Sequence, residues 1–377
     1  MSSDLAHLYS RTRNARKVIV VDLGFLGDTV HLVPPLWELK RNYAGAELHV
    51  LTSTVGQEVL RLAPCVDRVW GLEMFRETRT LRQQWSVLRA LRRERFDVAF
   101  NFSGADRTNF MTALTGARWR VAHRGGRWHF YNSWVIRDWI PRQDPNQLVS
   151  EQRRQMLVAC GLSLEPARFD LRIDNASDRW AAGIVRGPTV HVSPNSNKAV
   201  KEWPLDHYIS LVNSILAIEP PLNIVISGTA RERERARLDG LAAKLKSDRI
   251  HFLAGGVSIS QLAALLARCL LHIGSDSGVL HLAFALQLPT ISFLREQPNF
   301  GAFMPTGPTH RVFAVPCGCL DGPHAPCEKL QRAECLAQIQ PDKVVEAVRE
   351  QVGAAKTRVW PRANSPHPGP LPRGEGE

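Results

Sequence analysis

The 377-residue chain has no uninterrupted apolar stretch near the roughly 20 residues that a membrane-crossing helix needs. Its first segment, MSSDLAHLYSRTRNARK, is polar and charged and carries no apolar core of a secretory signal. No Asp-x-Asp occurs anywhere, so a paired-carboxylate clamp for a metal–diphosphate complex has no obvious ligands. Gly-x-Gly-x-x-Gly is absent too. The nearest candidate, Gly24 to Gly27, is Gly-x-x-Gly and lacks the glycine that lets a pyrophosphate approach closely, which argues against a nicotinamide-type dinucleotide site. The seven cysteines are odd in number, unevenly spread and never Cys-x-x-Cys, which excludes a disulfide framework and points to a reducing compartment.

What is present describes a globular protein large enough for two domains, each with its own core. The formal charge is +12, and most of the excess is arginine in the first half. Such a surface favours anionic partners: nucleic acid, phosphorylated sugars or an anionic membrane face. These features predict a cytoplasmic protein, compatible with a peripheral position on the inner face of the cytoplasmic membrane.

The most informative stretch is LLHIGSDSGVLHLAFALQLPTISFL, Leu270 to Leu294. It reads as a buried strand to Ile273, a turn-rich loop Gly274-Ser275-Asp276-Ser277-Gly278, a helix ended by Pro289, and a second strand. A helix opening after Asp276, Ser277 and Gly278 points free N–H groups and a positive dipole end into the loop, a ready place for a diphosphate. His281 lies one turn in. An ordinary capped helix with a solvated histidine is the alternative.

The same rhythm recurs along the chain. Lys17 to Leu23 is a predicted strand, Gly24 to Asp28 a loop, and Thr29 to Arg41 a helix that Pro34 and Pro35 should delay or kink. Asp28 opens from the end of the first strand, either as a helix cap or as a base in the ligand crevice. Strands follow near Ala46–Ser53, Val66–Leu72 and Phe96–Gly104. Between the last two, an arginine-rich helix from Thr80 to Arg93 carries an apolar stripe of Leu81, Trp85, Leu88 and Leu91. Strands alternating with helices predict parallel sheets covered on both faces. From Thr115 to Val135, Arg118, Arg120, Arg124 and Arg127 lie among Trp119, Trp128 and Tyr131. Such a stretch suits phosphate and sugar rings, suits single-stranded nucleic acid, or is a wet loop over core tryptophans.

The alternation restarts at Thr189, and a boundary between about Arg168 and Gly187 fits ordinary domain sizes. Asn195 to Lys201 is a polar loop whose Lys198 and Lys201 sit where a strand end meets a helix start. Near the C-terminus Cys317, Cys319, Cys327 and Cys335, with His324 between them, could hold a structural metal or be buried thiols. The end, from 353 to 377, is Pro/Gly-rich and expected to be disordered.

Several of these stretches resemble one family. VDLGFLGDTVHLVPPL resembles the N-terminal signature of the heptosyltransferases that build the lipopolysaccharide inner core, glycosyltransferase family 9. NSNKAVKEWPLDHY and GSDSGVLHLAFALQLPTISFL are similar to that family's lysine-Trp-Pro and Asp-Ser/Thr-Gly-x-x-His motifs. Phe25 and Leu26 stand where many members carry small polar residues. The resemblance covers roughly Lys17 to Val352. It implies an α/β chain of GT-B architecture: two Rossmann-like domains, 17–178 for the acceptor and 179–352 for the donor, facing across a cleft, with 1–16 an N-terminal segment. It implies an inverting, metal-independent transfer of a heptose or related sugar from an ADP-sugar, ADP-heptose above all, to a lipopolysaccharide core or similar anionic glycolipid or glycan. No cofactor and no nucleic acid are expected.

The resemblance implies that Asp28 is the base that deprotonates the acceptor. It also implies that Lys201 holds the diphosphate and that Asp276, Ser277, Gly278 and His281 contact the donor, with Ser275, Asn195, Ser196, Gly27 and Thr29 expected beside them. Arg120, Arg124 and Arg127 are expected at the acceptor. Two other readings compete: a hydrolase with Asp276 as nucleophile and His310 or His324 as base, and a nucleic-acid-binding protein without catalysis.

Overall fold

The computed structural model of the chain describes residues 5–73, 81–123, 135–141, 143–296, 298–317, 327 and 333–355. Six strands build the first sheet: β1 Lys17–Val21, β2 Glu47–Ser53, β3 Arg68–Leu72, β4 Val98–Asn101, β5 Trp119–His123 and β6 Asp138–Ile140. Six more build the second: β7 Thr189–Ser193, β8 Asn223–Gly228, β9 Ile250–Ala254, β10 Leu271–Ser275, β11 Thr290–Glu296 and β12 His310–Pro316. Every pairing is parallel. The orders are β3-β2-β1-β4-β5-β6 and β12-β11-β10-β7-β8-β9. Read from the other edge, the second order repeats the first. Each sheet therefore reverses direction beside its own first strand, between β1 and β4 and between β7 and β10. In parallel sheets the crevice at such a reversal, outside the carboxyl ends of the strands, is where ligands bind.

The strands form where the sequence is apolar without alternation, because both faces are covered. In β1 the four residues Val18 to Val21 are all fully buried. One face of the first sheet packs Val18, Val20 and Phe100 against Leu36, Leu39 and Leu157. The other packs Ile19, Val21 and Ala99 against Leu88, Leu91 and Met111. In the second domain Trp203 is fully buried, stacks on Phe293 at 4.3 Å between ring centres, and donates its indole N–H to Ile339 O.

The predicted helix Thr29 to Arg41 is two helices, Leu26–Val30 and Val33–Asn42, with Pro34 and Pro35 in the first turn of the second. There their missing N–H groups cost nothing. Gly27 and Asp28 consequently sit in a helical turn rather than a loop. The cationic stretch after Thr115 contributes β5, which no alternation announced. The expected division at 178 and 179 falls inside the helix Asn175–Ile184, which packs on the helix Ile259–Arg268 through a bidentate Asp178–Arg268 pair. The last helix, Pro341–Ala355, runs past residue 352, and residues 356–377 lie outside the described residues.

A third core joins the halves: Val30, Val59 and Leu62 pack with Leu262, Leu266, Leu282 and Ala283. Burial holds His31 and His272 well below the usual imidazole range and pushes His191 down to about 3. His191 Nδ1 is 2.9 Å from His272 Nδ1, and its Nε2 is 2.9 Å from Ser227 Oγ. The unfolded chain takes up a proton at these positions near pH 6.5 that the native chain refuses. Stability is therefore fully present above that pH and falls as the solution is acidified. For His191 the loss between pH 6.5 and 5 is about 2 kcal/mol. Melting temperatures recorded across that interval should fall steeply, and a flat profile would refute the assignment of neutral buried imidazoles.

Candidate functional site

A cavity of about 690 Å³ lies between the sheets and is lined from both. The first domain contributes Phe25, Leu26, Gly27, Asp28, Val55 and Glu58. From the second, the carboxyl ends of β7, β8, β9, β10 and β11 and the segments that follow them supply the rest, including Asn195, Ser196, Lys201, Arg231, Asp276, Ser277, Gly278, His281 and Arg295.

Asp28 reaches this cavity from the third position of the helix Leu26–Val30. Its Oδ2 accepts the N–H of Phe25 at 3.0 Å, so the carboxylate caps its own helix through one oxygen and fronts the cavity as well. Both roles read from the sequence are compatible. Room for it depends on Gly24, where an added Cβ would lie 2.4 Å from Asp28 Cβ. Behind the turn, Asp22 is nearly fully buried and accepts from Gly24 N and from Arg153 Nη2 at 2.7 Å. Arg153 Nη1 donates to Asp28 O at 2.6 Å. Burial raises the Asp22 pKa, and Arg153 opposes that rise. One buried ion pair thus fixes the backbone that carries Asp28.

Across the cavity, the helix Gly278–Ala285 begins after Ser277, whose hydroxyl makes no capping bond and has no hydrogen-bond partner among the described residues. Its first N–H groups and its dipole end face the lining formed by Ser277, Gly278 and Val279. Lys201 Nζ is 2.5 Å from Asp276 Oδ2, and His281 Nε2 is 3.6 Å from Asp276 Oδ1. Burial alone would raise the Asp276 pKa, but His281 and Lys201 outweigh it and hold the carboxyl well below its usual range. Ser196 donates its hydroxyl to Asp276 O at 2.6 Å, and the buried Glu202 accepts Ser196 N and Arg233. Asn195 accepts from Arg237 through Oδ1, while its Nδ2 has no hydrogen-bond partner among the described residues. The arrangement offers cationic and N–H groups on one wall and a carboxylate on the other.

The two walls meet at a glycine notch. A Cβ on Gly27 would lie 2.4 Å from His281 Cδ2, and one on Gly278 would lie 2.5 Å from Leu26 Cδ2. Beside it His281 Nδ1 is 3.3 Å from Nε2 of the fully buried His31, which packs edge-on against Phe169 and Phe303. His31 is a site neighbour that the sequence reading missed. Its signal was spacing: it follows Asp28 by three residues, on the adjoining turn.

Three expected contacts are not in the lining. Ser275 is fully buried, and its hydroxyl accepts Trp203 N and lies 3.3 Å from Tyr208 Oη, so it ties β10 to the core. Thr29 is fully buried and donates to Phe25 O, a bond within its own turn. Arg120 sits on β5, and its guanidinium donates to Val135 O and Ala117 O rather than reaching the cavity. Arg124 and Arg127 lie outside the described residues, as do Trp128, Tyr131, Cys319 and His324. Lys198 is exposed and does not line the cavity. Among the described residues no group of three or more metal-ligating side chains converges. Of the two bases the hydrolase reading offered, His310 bonds Thr290 and packs on Phe284, outside the lining, and His324 lies outside the described residues. Sequence reasoning also missed Glu58, Arg231, Arg295, Phe300 and Phe303. Arg231, Phe300 and Phe303 follow a strand of the second sheet and Arg295 lies at the carboxyl end of one, and that position was their one signal.

Comparison with known proteins agrees with this architecture. Residues 84–329 match glycosyltransferase family 9 (heptosyltransferase). The chain is 23% identical to lipooligosaccharide heptosyltransferase 2 of Haemophilus ducreyi over 361 residues, covering 89% of this chain and 99% of that one. Its fold is similar to that of E. coli ADP-heptose LPS heptosyltransferase II, with TM-score 0.71, 19% identity, and 90% and 100% of the two chains covered. It is also similar to E. coli heptosyltransferase WaaC with ADP-2-deoxy-2-fluoro heptose, with TM-score 0.67, 18% identity, and 89% and 99% covered. The match spans more than half the chain, so this protein belongs to glycosyltransferase family 9, the heptosyltransferases, and its paired sheets are the two halves of a GT-B glycosyltransferase.

Proposed function

We propose that the protein transfers a heptose from ADP-heptose to an anionic glycolipid acceptor of the lipopolysaccharide core, with inversion at the anomeric carbon and without a metal ion, at the cytoplasmic face of the membrane. The observation that carries this reading is one cavity with Asp28 on one wall and a helix N-terminus beside Lys201 on the other. The donor assignment draws on WaaC, whose structure holds an ADP-heptose analogue.

In this mechanism Asp28 takes the proton of the acceptor hydroxyl as that oxygen bonds the anomeric carbon. The bond from that carbon to the diphosphate breaks, and its electron pair leaves with ADP. Direct displacement of this kind needs one base and one stabilised leaving group. Charge on the departing diphosphate is met by the Lys201 ammonium and the free N–H groups after Ser277. With no Asp-x-Asp in the chain, these groups take the place of a metal clamp.

The test is binding and turnover together. ADP-heptose should raise the melting temperature more than other nucleotide sugars, since a ligand that binds only the native state stabilises it. Lys201→Ala should weaken ADP-heptose about 10-fold or more, the worth of a charge-assisted contact. Adding Asp276→Asn to it should recover part of the loss by removing the carboxylate left beside the diphosphate. Unchanged affinity in the single variant would defeat the donor assignment.

A further inference from the structure

The helix Leu81–Arg93 covers one face of the acceptor sheet and was expected to bury Trp85 with Leu88 and Leu91. It does not. Leu88 and Leu91 are buried, but Trp85 is 59% exposed. At 100° per residue, Arg82, Trp85, Arg89, Arg92 and Arg93 fall within an arc of about 100°, and all five are exposed. No acidic residue occurs in this helix. Its nearest carboxylate in sequence, Glu94, is engaged by Lys17 and Arg68, and among the described residues the four arginines have no carboxylate partner. The neighbouring helix Asp106–Leu114 packs on the same core and presents Phe110, 42% exposed, with Asp106 at its start.

We propose that this face, the arginine arc with Trp85 and the adjoining Phe110, docks the acceptor domain on an anionic lipid bilayer. Exposed arginines attract anionic headgroups, and a half-exposed tryptophan suits the boundary between headgroups and acyl chains. A single helix with one cationic, tryptophan-bearing face lies flat on such a surface. Both helices follow strands of the first sheet, so their first turns lie on the side of the strands' carboxyl ends, as does Asp28 after β1. Docking there brings the bilayer to the acceptor side of the cavity. The choice of a bilayer over other polyanions rests on reading the acceptor as a glycolipid.

The experiment is co-sedimentation of the full chain with vesicles of phosphatidylcholine alone and of phosphatidylcholine mixed with phosphatidylglycerol. Wild type should bind the anionic vesicles and not the neutral ones, and high salt should weaken it. Reversing two cations in the double variant Arg82→Glu/Arg89→Glu should cost about 25-fold or more in vesicle affinity, at about fivefold per basic residue. Trp85→Ser should lose several-fold. Transfer to a short soluble acceptor should stay at the wild-type rate in both, which shows the fold intact. Equal binding to the two vesicle types, or full binding by the double variant, overturns the proposal. So does absence of vesicle binding with the patch instead holding an oligonucleotide or a second copy of the chain. No sugar enters the vesicle assay, so a failed donor assignment leaves its result readable.

Discussion

Asp28→Asn should lower the transfer rate by a factor of about 10² to 10⁴, the usual contribution of a positioned general base, while ADP-heptose affinity stays within about twofold. The substitution is informative because of what it preserves. An asparagine oxygen can still accept the Phe25 N–H, so the helix turn keeps its cap. The Arg153 bond goes to the Asp28 backbone and is untouched. What disappears is the ability to hold a proton, and the base acts on the acceptor rather than on the nucleotide. Single-turnover rates with isothermal donor titrations separate the two quantities. Turnover within about threefold of wild type would remove Asp28 from the base role.

Arg153→Met should be the most destabilising single change near the site. Asp22 and Arg153 are both almost wholly buried and lie 2.7 Å apart. Deleting one member of such a pair leaves an uncompensated charge and costs about 3–5 kcal/mol. In domains of this size that is a fall of roughly 10 °C in melting temperature. Transfer should fall too, since the guanidinium also holds the Asp28 carbonyl. Adding Asp22→Asn should return a large part of the stability, because the charge that needed a partner is then gone. A single variant that melts with wild type would mean the pair is worth far less than its burial implies.

Much of the architecture was legible because parallel strands buried on both faces leave unbroken apolar runs. Lys17 to Val21, Thr189 to Ser193 and Asn223 to Gly228 fall where those runs placed them. The loop Asp276-Ser277-Gly278 was legible for a related reason, since its glycines and hydroxyls stand between a strand and a helix with little else to explain them. Side-chain direction was not legible. Ser275 and Ser277 are two apart and chemically alike, yet the last residue of β10 points into the core and the next-but-one fronts the cavity. Thr29 and Asp28 divide the same way on one turn of helix. Arg120 looked like a ligand group because composition does not reveal that two carbonyls, Ala117 O and Val135 O, already claim it. Trp85 looked like core because it lies at the border of the apolar stripe, where periodicity cannot distinguish inside from outside.

The missing side chains at Gly27 and Gly278 have a mechanical consequence. Where the two walls touch, the main chain at Gly27 faces the His281 ring, and the main chain at Gly278 faces the Leu26 side chain, whose Cβ would lie 2.8 Å from an added Cβ. Enlarging either glycine inserts a wedge where the two walls meet. A side chain there would push the wall that carries Asp28 away from the wall that carries Ser277, and both substrates would lose alignment at once.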